Sequence, residues 1–233
     1  MTTATGKSGA RSAAPAGQAG RRARAANGTG PRAVAREARE NLYREHILIA
    51  AERVFADQGF DAAKVQDISR LAGLSMGSIY TLFPGKEQLF ASIIDRRGNE
   101  LLALARSVVA EHADPVRALE ELARAYVAYF HEHPDFLRMH LRTGTSWALQ
   151  PAVGARRALS EKIHALQADI FARGVASGAF IDEDPAYLAV LFSGIDQAHL
   201  SQWVASGMPG SLDDLSARFL RIVGRTFLRS AAS

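Results

Sequence analysis

The chain has 233 residues, 48% of them hydrophobic, enough to bury a core in one large domain or in a small and a larger one. It has no cysteine, which excludes disulfides and thiolate metal sites and is compatible with a reducing compartment. A net charge of +4 suggests a nucleic-acid partner, but residues 1–36 hold seven basic side chains (Lys7, Arg11, Arg21, Arg22, Arg24, Arg32, Arg36) and no acid, which leaves 21 basic against 24 acidic residues elsewhere.

Residues 1–36 are rich in Ala, Gly, Ser and Thr and have too few large apolar groups to offset the entropy of ordering. They are expected to form a disordered basic arm, either a solubilising extension or a source of salt-sensitive phosphate contacts. The arm lacks the apolar segment of a secretory signal, and no apolar run approaches the roughly 20 residues that span a bilayer, so a cytoplasmic protein without a membrane partner is expected. From Arg36 to Gln58 the apolar residues Ile47, Ala51, Val54 and Phe55 make one helical stripe, closed by Gly59.

The stretch Val65 to Phe90 reads as two short helices joined at Gly73. Val65, Ile68, Leu71 and Ala72 make the apolar stripe of the first. Gly73 ends it, because a residue just past a helix often takes left-handed dihedrals that glycine reaches without steric cost. Ser75 caps the next helix, in which Ile79 and Phe83 point one way while Met76, Ser78 and Thr81 face elsewhere. Pro84 and Gly85 stop it. Lys86 then opens a third helix against the usual acidic preference of a first turn, which favours a phosphate partner over local helix stability. Tyr80 offers a phenol of the kind that also bonds phosphate. By itself a helix, a glycine and a helix is compatible with an ordinary hairpin.

Further on, Leu89, Phe90, Ile93, Ile94, Leu101, Leu104 and Val108 mark a long helix toward His112. Asp114 and Pro115 start another, and His133 and Pro134 divide it from a shorter one ending at Gly144. Pro151 precedes a helix that stops near Gly174 or Gly178. Asp184 and Pro185 open one reaching about Ser206, and Ser211 with Asp214 forms a capping box for the last. No alternating strand pattern appears, and the total is about nine helices.

At these residues the chain resembles the tetracycline-repressor (TetR) family of bacterial transcriptional regulators. The resemblance runs from about Arg44 to Phe90: Gly59-Phe60, Asp67-Ile68, Ala72-Gly73-Leu74-Ser75, Gly77-Ser78-Ile79-Tyr80, Phe83, and Lys86-Glu87 through Leu89-Phe90. Where the family often has Thr or Ser opening the second helix, this chain has Ala63 and Lys64, with Lys64 the electrostatic replacement. The resemblance implies an all-α fold in which an N-terminal three-helix helix-turn-helix DNA-binding domain (37–87) precedes a larger helical ligand-binding and dimerisation domain (88–233). It also implies a homodimer on a palindromic operator of double-stranded DNA, since two recognition helices must meet major grooves roughly 34 Å apart.

Within that frame the DNA-binding residues are Lys64, Arg70, Ser75, Met76, Ser78, Tyr80, Thr81 and Lys86. Met76, Ser78 and Thr81 lie near base edges, and Lys64, Arg70, Tyr80 and Lys86 face phosphates. The dimer interface falls on Leu188, Leu191, Ile195, Leu215, Phe219 and Ile222 of the last two helices. The small-molecule effector site is assigned to Tyr126, Tyr129, Phe130, Phe136, Met139, His140, Trp147, Phe171, Phe192, Asp196 and His199. These aromatic and flexible walls, with a few polar groups, suit a largely apolar effector. No catalytic residue, metal site or cofactor is assigned: His131-Glu132-His133 lacks the spacing by which two histidines ligate one metal from a helix face, and there is no Gly-rich phosphate loop. The alternatives are a DNA-binding architectural protein that senses nothing and, more remotely, an all-helical enzyme. The first leaves about 140 residues of apolar helices after the DNA-binding region unexplained.

Overall fold

The computed structural model describes residues 30–142 and 155–229, with the side chains of 155–157 excepted. Trp147 and the arm residues Lys7, Arg11, Arg21, Arg22 and Arg24 lie outside the described residues. Nine helices follow one another among the described residues: α1 Pro31–Gln58, α2 Val65–Ala72, α3 Met76–Leu82, α4 Lys86–Glu111, α5 Pro115–Glu132, α6 Pro134–Arg142, α7 Ala155–Ala176, α8 Pro185–Ala205 and α9 Leu212–Phe227. Among the described residues, extended backbone pairs in an isolated antiparallel bridge between Phe180 and Leu228. No helix among the described residues is long and apolar enough to cross a membrane.

Contacts divide the chain into Met1–Asn41 and Leu42–Ser233. In the first unit α1 begins at Pro31, five residues before the start expected at Arg36. Proline at the first helical position loses no intrahelical bond, and the Gly30 carbonyl receives the amides of Ala33 and Val34. An exposed Arg36–Glu40 pair follows one turn on.

In the second unit the start signals read from the sequence are the real caps. Asp114 accepts the Arg117 amide at 2.8 Å, Asp184 the Tyr187 amide at 2.8 Å, and Ser211 and Asp214 close a reciprocal capping box. Helix α5 is central to the packing. Its Leu119, Leu122, Ala123, Val127 and Phe130 are buried as it packs against α4, α7, α8 and α9. Helices α4 and α7 approach so closely that a Cβ on Gly98 would stand 2.0 Å from Leu159 Cδ2, a distance no packed side chain tolerates.

Two devices tie the N-terminal helices to this bundle. The rings of Phe55, Phe60 and Phe90 form a cluster with centroids 5.2–5.7 Å apart, joining the end of α1 to the start of α4. One turn before Phe55, the Glu52 carboxylate is 4% exposed and clamped by α4. Arg97 reaches it through Nη2 (2.9 Å) and Nε (3.0 Å), and Arg96 through Nη2 (3.1 Å). Arg97 also donates to Glu100 at 3.0 Å, and Glu100 accepts the Tyr129 hydroxyl of α5 at 2.6 Å. Burial opposes the Arg97 charge, but the hydrogen bonds and charge of Glu52 and Glu100 outweigh it and raise its pKa. Glu100 is lowered on balance: burial pushes it up, and the Tyr129 hydroxyl and the two arginines pull it further down. On the surface, Arg53 to Asp135 (3.5 Å) and Arg138 to Asp57 (3.4 Å) add ion pairs between α1 and α6, worth little each because water reaches them.

Removing the buried carboxylate on which Arg96 and Arg97 converge strands both guanidinium groups. Glu52→Gln is therefore expected to lower unfolding stability by about 3 kcal/mol, read as a lower urea midpoint, whereas Glu40→Gln on the exposed end of α1 is expected to leave it unchanged.

Candidate nucleic-acid interface

The turn between α2 and α3 is built as the sequence suggests. Gly73 takes φ 65°, ψ 27°, and the Leu74 amide returns to the Ser69 carbonyl at 3.2 Å. The Ser75 hydroxyl accepts the Ser78 amide at 3.1 Å and so caps α3. Ile79 and Phe83, at 0% and 2% exposure, anchor α3 to the core, and α2 is anchored by Ile68. Leu71 departs from the expected stripe: it is 56% exposed, because α2 rests on Val65, Ile68 and Ala72 and turns Leu71 outward.

Anchoring through Ile79 leaves the other side of α3 facing solvent. Tyr80 and Thr81 are exposed and Met76 and Ser78 are half-buried. The two hydroxyls are already engaged: Thr81 donates to the Gly77 carbonyl at 2.7 Å, and Ser78 shares a 2.9 Å hydrogen bond with Ser75. Each keeps acceptor capacity, and Thr81 also offers a methyl group. Lys64 is exposed at the start of α2, where its side chain makes no cap, and Arg70 is exposed beside Asp67 at 3.1 Å.

Lys86, of which a phosphate contact is expected, is also engaged within the fold. Its ammonium donates to the carbonyls of Phe60 and Asp61, both at 3.0 Å, and lies 4.7 Å from the centroid of the Phe60 ring. A cation in the first turn of α4 is thus accounted for by carbonyls left open after α1, which linear order could not reveal. Arg44, of which no role is expected from the sequence, does similar work for α3: it donates to the Leu82 carbonyl at 3.3 Å with its guanidinium 5.4 Å from the Phe83 ring centroid. The basic residue one turn before Ile47 was the available signal.

The expected effector residues separate into several places. Tyr126, Phe171, Phe192 and Asp196 come together where α5, α7 and α8 pack, with Tyr126 and Phe192 ring centroids 6.4 Å apart and Phe171 and Phe192 at 6.3 Å. Tyr129 belongs instead to the Glu100–Arg97 network. Phe130 stacks on Phe136 at 6.1 Å, His140 follows on Phe136, and Met139 is buried nearby on α6. His199 stacks on Phe219 at 5.1 Å and hydrogen-bonds the Leu215 carbonyl through Nε2 at 3.1 Å. Burial lowers its pKa, helped by the nearby Arg218 charge.

The expected dimer residues also divide. Leu188 and Phe219 are each 0% exposed and point into their own core, so they supply no outer face, whereas Leu215, at 8%, still reaches the surface between α8 and α9. Leu191, Ile195 and Ile222 remain partly open. The last two border a groove of about 560 Å³ between α8 and α9, which Trp203, Gln202 and Arg218 also line.

Asp196 is the unusual member of the interior. It is 3% exposed, its Oδ1 has no hydrogen-bond partner among the described residues, and burial pushes its carboxyl from the ordinary 3.8 up to about 8. The folded protein therefore keeps a proton that the unfolded chain releases.

Comparison with known proteins bears on these sites. Residues 47–93 match the model of bacterial regulatory proteins of the tetR family. The transcriptional repressor NicS of Pseudomonas putida is 30% identical over 141 residues, which are 60% of this chain and 66% of that repressor, just under two thirds. The repressor KstR2 of Mycobacterium tuberculosis is 25% identical over 78% of this chain and 92% of its own length. Among solved structures, the TetR-family regulator PfmR of Thermus thermophilus superposes with a TM-score of 0.65 at 26% identity, covering 78% of this chain and 99% of that one.

Lys86→Met is expected to lower stability by about 1–2 kcal/mol, as two carbonyls and a ring lose their cation; chemical denaturation measures it, and unchanged stability would show the contacts to be idle. For Asp196 the sign is set by the raised pKa. Between the unfolded value and about 8, stability falls as pH rises, and above about 8 the penalty is complete. Asp196→Asn removes it, so the melting temperature of the variant relative to the parent is expected to climb by several degrees from pH 4 to pH 8.5.

Proposed function

Because the chain belongs to the tetR family of bacterial regulatory proteins, we propose that it represses transcription as a homodimer on a palindromic operator, and that a small, largely apolar effector releases it. The observation that carries this reading is α3 itself. A short helix fixed by the Ser75 cap, the buried Ile79 and Arg44 at its C-terminal end presents Met76, Ser78, Tyr80 and Thr81 outward. Cationic Lys64 and Arg70 stand on the preceding helix.

In the proposed complex α3 lies in the major groove. Met76 and the Thr81 methyl meet apolar base edges, the acceptor lone pairs of Ser78 meet base donors, and Lys64, Arg70 and Tyr80 meet phosphates. Lys86 acts beneath them by holding the junction of α1 and α4. The second copy packs on the partly open face of Leu191, Ile195 and Ile222, around the groove between α8 and α9. Dimerisation follows from the operator geometry, since one copy cannot meet two successive grooves. Repression is steric exclusion of the polymerase in the cytoplasm.

An effector that binds better to the conformer with misplaced reading heads draws the population off DNA, by no more than its difference in affinity between conformers. The Glu52 cluster is the physical route, because it joins the helix beneath the reading head to α4 and α5, which pack against the aromatic interior.

Selection of bound sites from a random DNA pool is expected to return a palindrome. Lys64→Ala should weaken all sequences alike and reduce the salt slope by about one, Ser78→Ala and Thr81→Ala should change which sequences are preferred, and Lys86→Met should leave the salt slope unaltered. A pool that returns no common sequence would support the non-sensing architectural alternative instead.

A further inference from the structure

Four polar side chains stand among phenylalanines where α5, α7 and α8 meet: Tyr126, Gln167, Ser193 and Asp196. The Ser193 hydroxyl donates to Gln167 Oε1 at 3.0 Å, so this pair is mutually satisfied. The other two are not. The Tyr126 hydroxyl lies close enough to the Gln167 side chain for that group to favour its charged form, yet among the described residues neither it nor Asp196 Oδ1 has a partner at hydrogen-bond geometry. Both residues are more than nine-tenths buried, at 5% and 3% exposure.

Unpartnered polar groups in a core cost stability, and a fold that keeps two within one part of its interior has them available to something that completes them. The kind of group is set by counting hydrogens. A phenol has one to donate. Among the described residues no basic side chain acts on Asp196, so its carboxyl is held neutral by burial and also has one. Tyr126 and Asp196 are near enough that charge on Asp196 would tighten the hold on the phenol proton, so the two hydrogens belong to one neighbourhood.

Two free donors without a cation match the two lone pairs of a carbonyl oxygen. A carboxylate head would have to be desolvated with no positive charge to receive it. An ammonium head would bring three more donors to a place already short of acceptors. We propose that the effector carries an uncharged ketone-type carbonyl, whose oxygen accepts from the Tyr126 hydroxyl and the Asp196 carboxyl while its apolar body lies against Phe171 and Phe192. This rests on effector control itself and narrows the class of effector.

The test is calorimetric titration of the full chain with four compounds of similar aryl-alkyl body: benzylacetone, phenylbutylamine, phenylbutyrate and butylbenzene. Benzylacetone is expected to bind about tenfold tighter than each of the others. Tyr126→Phe and Asp196→Leu should each abolish that preference and leave butylbenzene unaffected. Asp196→Asn still offers an N–H, so it should keep the ketone within about threefold of the parent.

A preference for the amine that disappears in Asp196→Asn overturns the proposal in favour of a cation site, and a preference for the carboxylate overturns it equally. Four indistinguishable affinities, or no binding, overturn it by leaving the two groups to an ordered water. Effector control is judged separately, by release of selected operator DNA in a broader compound screen. If an amine or an acid releases the DNA, control stands and only the carbonyl assignment fails. If nothing releases it, both fail.

Discussion

A carboxylate at 4% exposure is a severe commitment for a helix, because burial removes its hydration and only matched cations can replace it. Glu52 makes that commitment from the last two turns of α1. The guanidinium groups that meet it are successive residues of α4, and one of them extends the bonding through Glu100 to Tyr129 on α5. The consequence is positional. A helix two short elements away from α3 cannot shift against α4 without breaking several charge-assisted hydrogen bonds at once. The phenylalanine cluster beside it adds contact without direction, while the Glu52 cluster supplies the direction.

That constraint gives meaning to the outer elements. The α2–α3 turn has small, local determinants: Gly73 in a left-handed conformation, a serine cap and one buried isoleucine. These orient α3 on its support, and the support is oriented by α4. Lys86 and Arg44 belong to the same design, each spending a cation on backbone carbonyls at a helix end or just beyond one. The basic residues free to meet a polyanion are correspondingly few, which agrees with a folded region that is not basic by count.

Local chemistry was legible in the sequence and tertiary commitments were not. The capping box at Ser211, the proline starts of α5, α6 and α8 and the glycine turn at Gly73 each act within a few residues, so they could be read in order. The early start of α1 at Pro31 carried the same kind of signal and was obscured by the low-complexity residues around it. Periodicity located buried faces but not their neighbours. Leu71 fits the α2 stripe and faces solvent, while Leu188 and Phe219 fit an outer face and are wholly buried. Partners distant in sequence, such as the carbonyls that hold Lys86 or the carboxylates that surround Arg97, have no signature along the chain. Tyr126, Phe171, Phe192 and Asp196 were legible as interior candidates because a carboxylate in so apolar a helix is conspicuous, but their separation from Tyr129 and His199 needed three dimensions.

Joined to the bundle through Glu52 of the helix beneath them, α2 and α3 should unfold with it as one cooperative unit. Differential scanning calorimetry of the full chain tests this directly. A single transition is expected, with equal calorimetric and van't Hoff enthalpies per cooperative unit. Two resolved transitions, with the N-terminal helices melting independently of the rest, would contradict it.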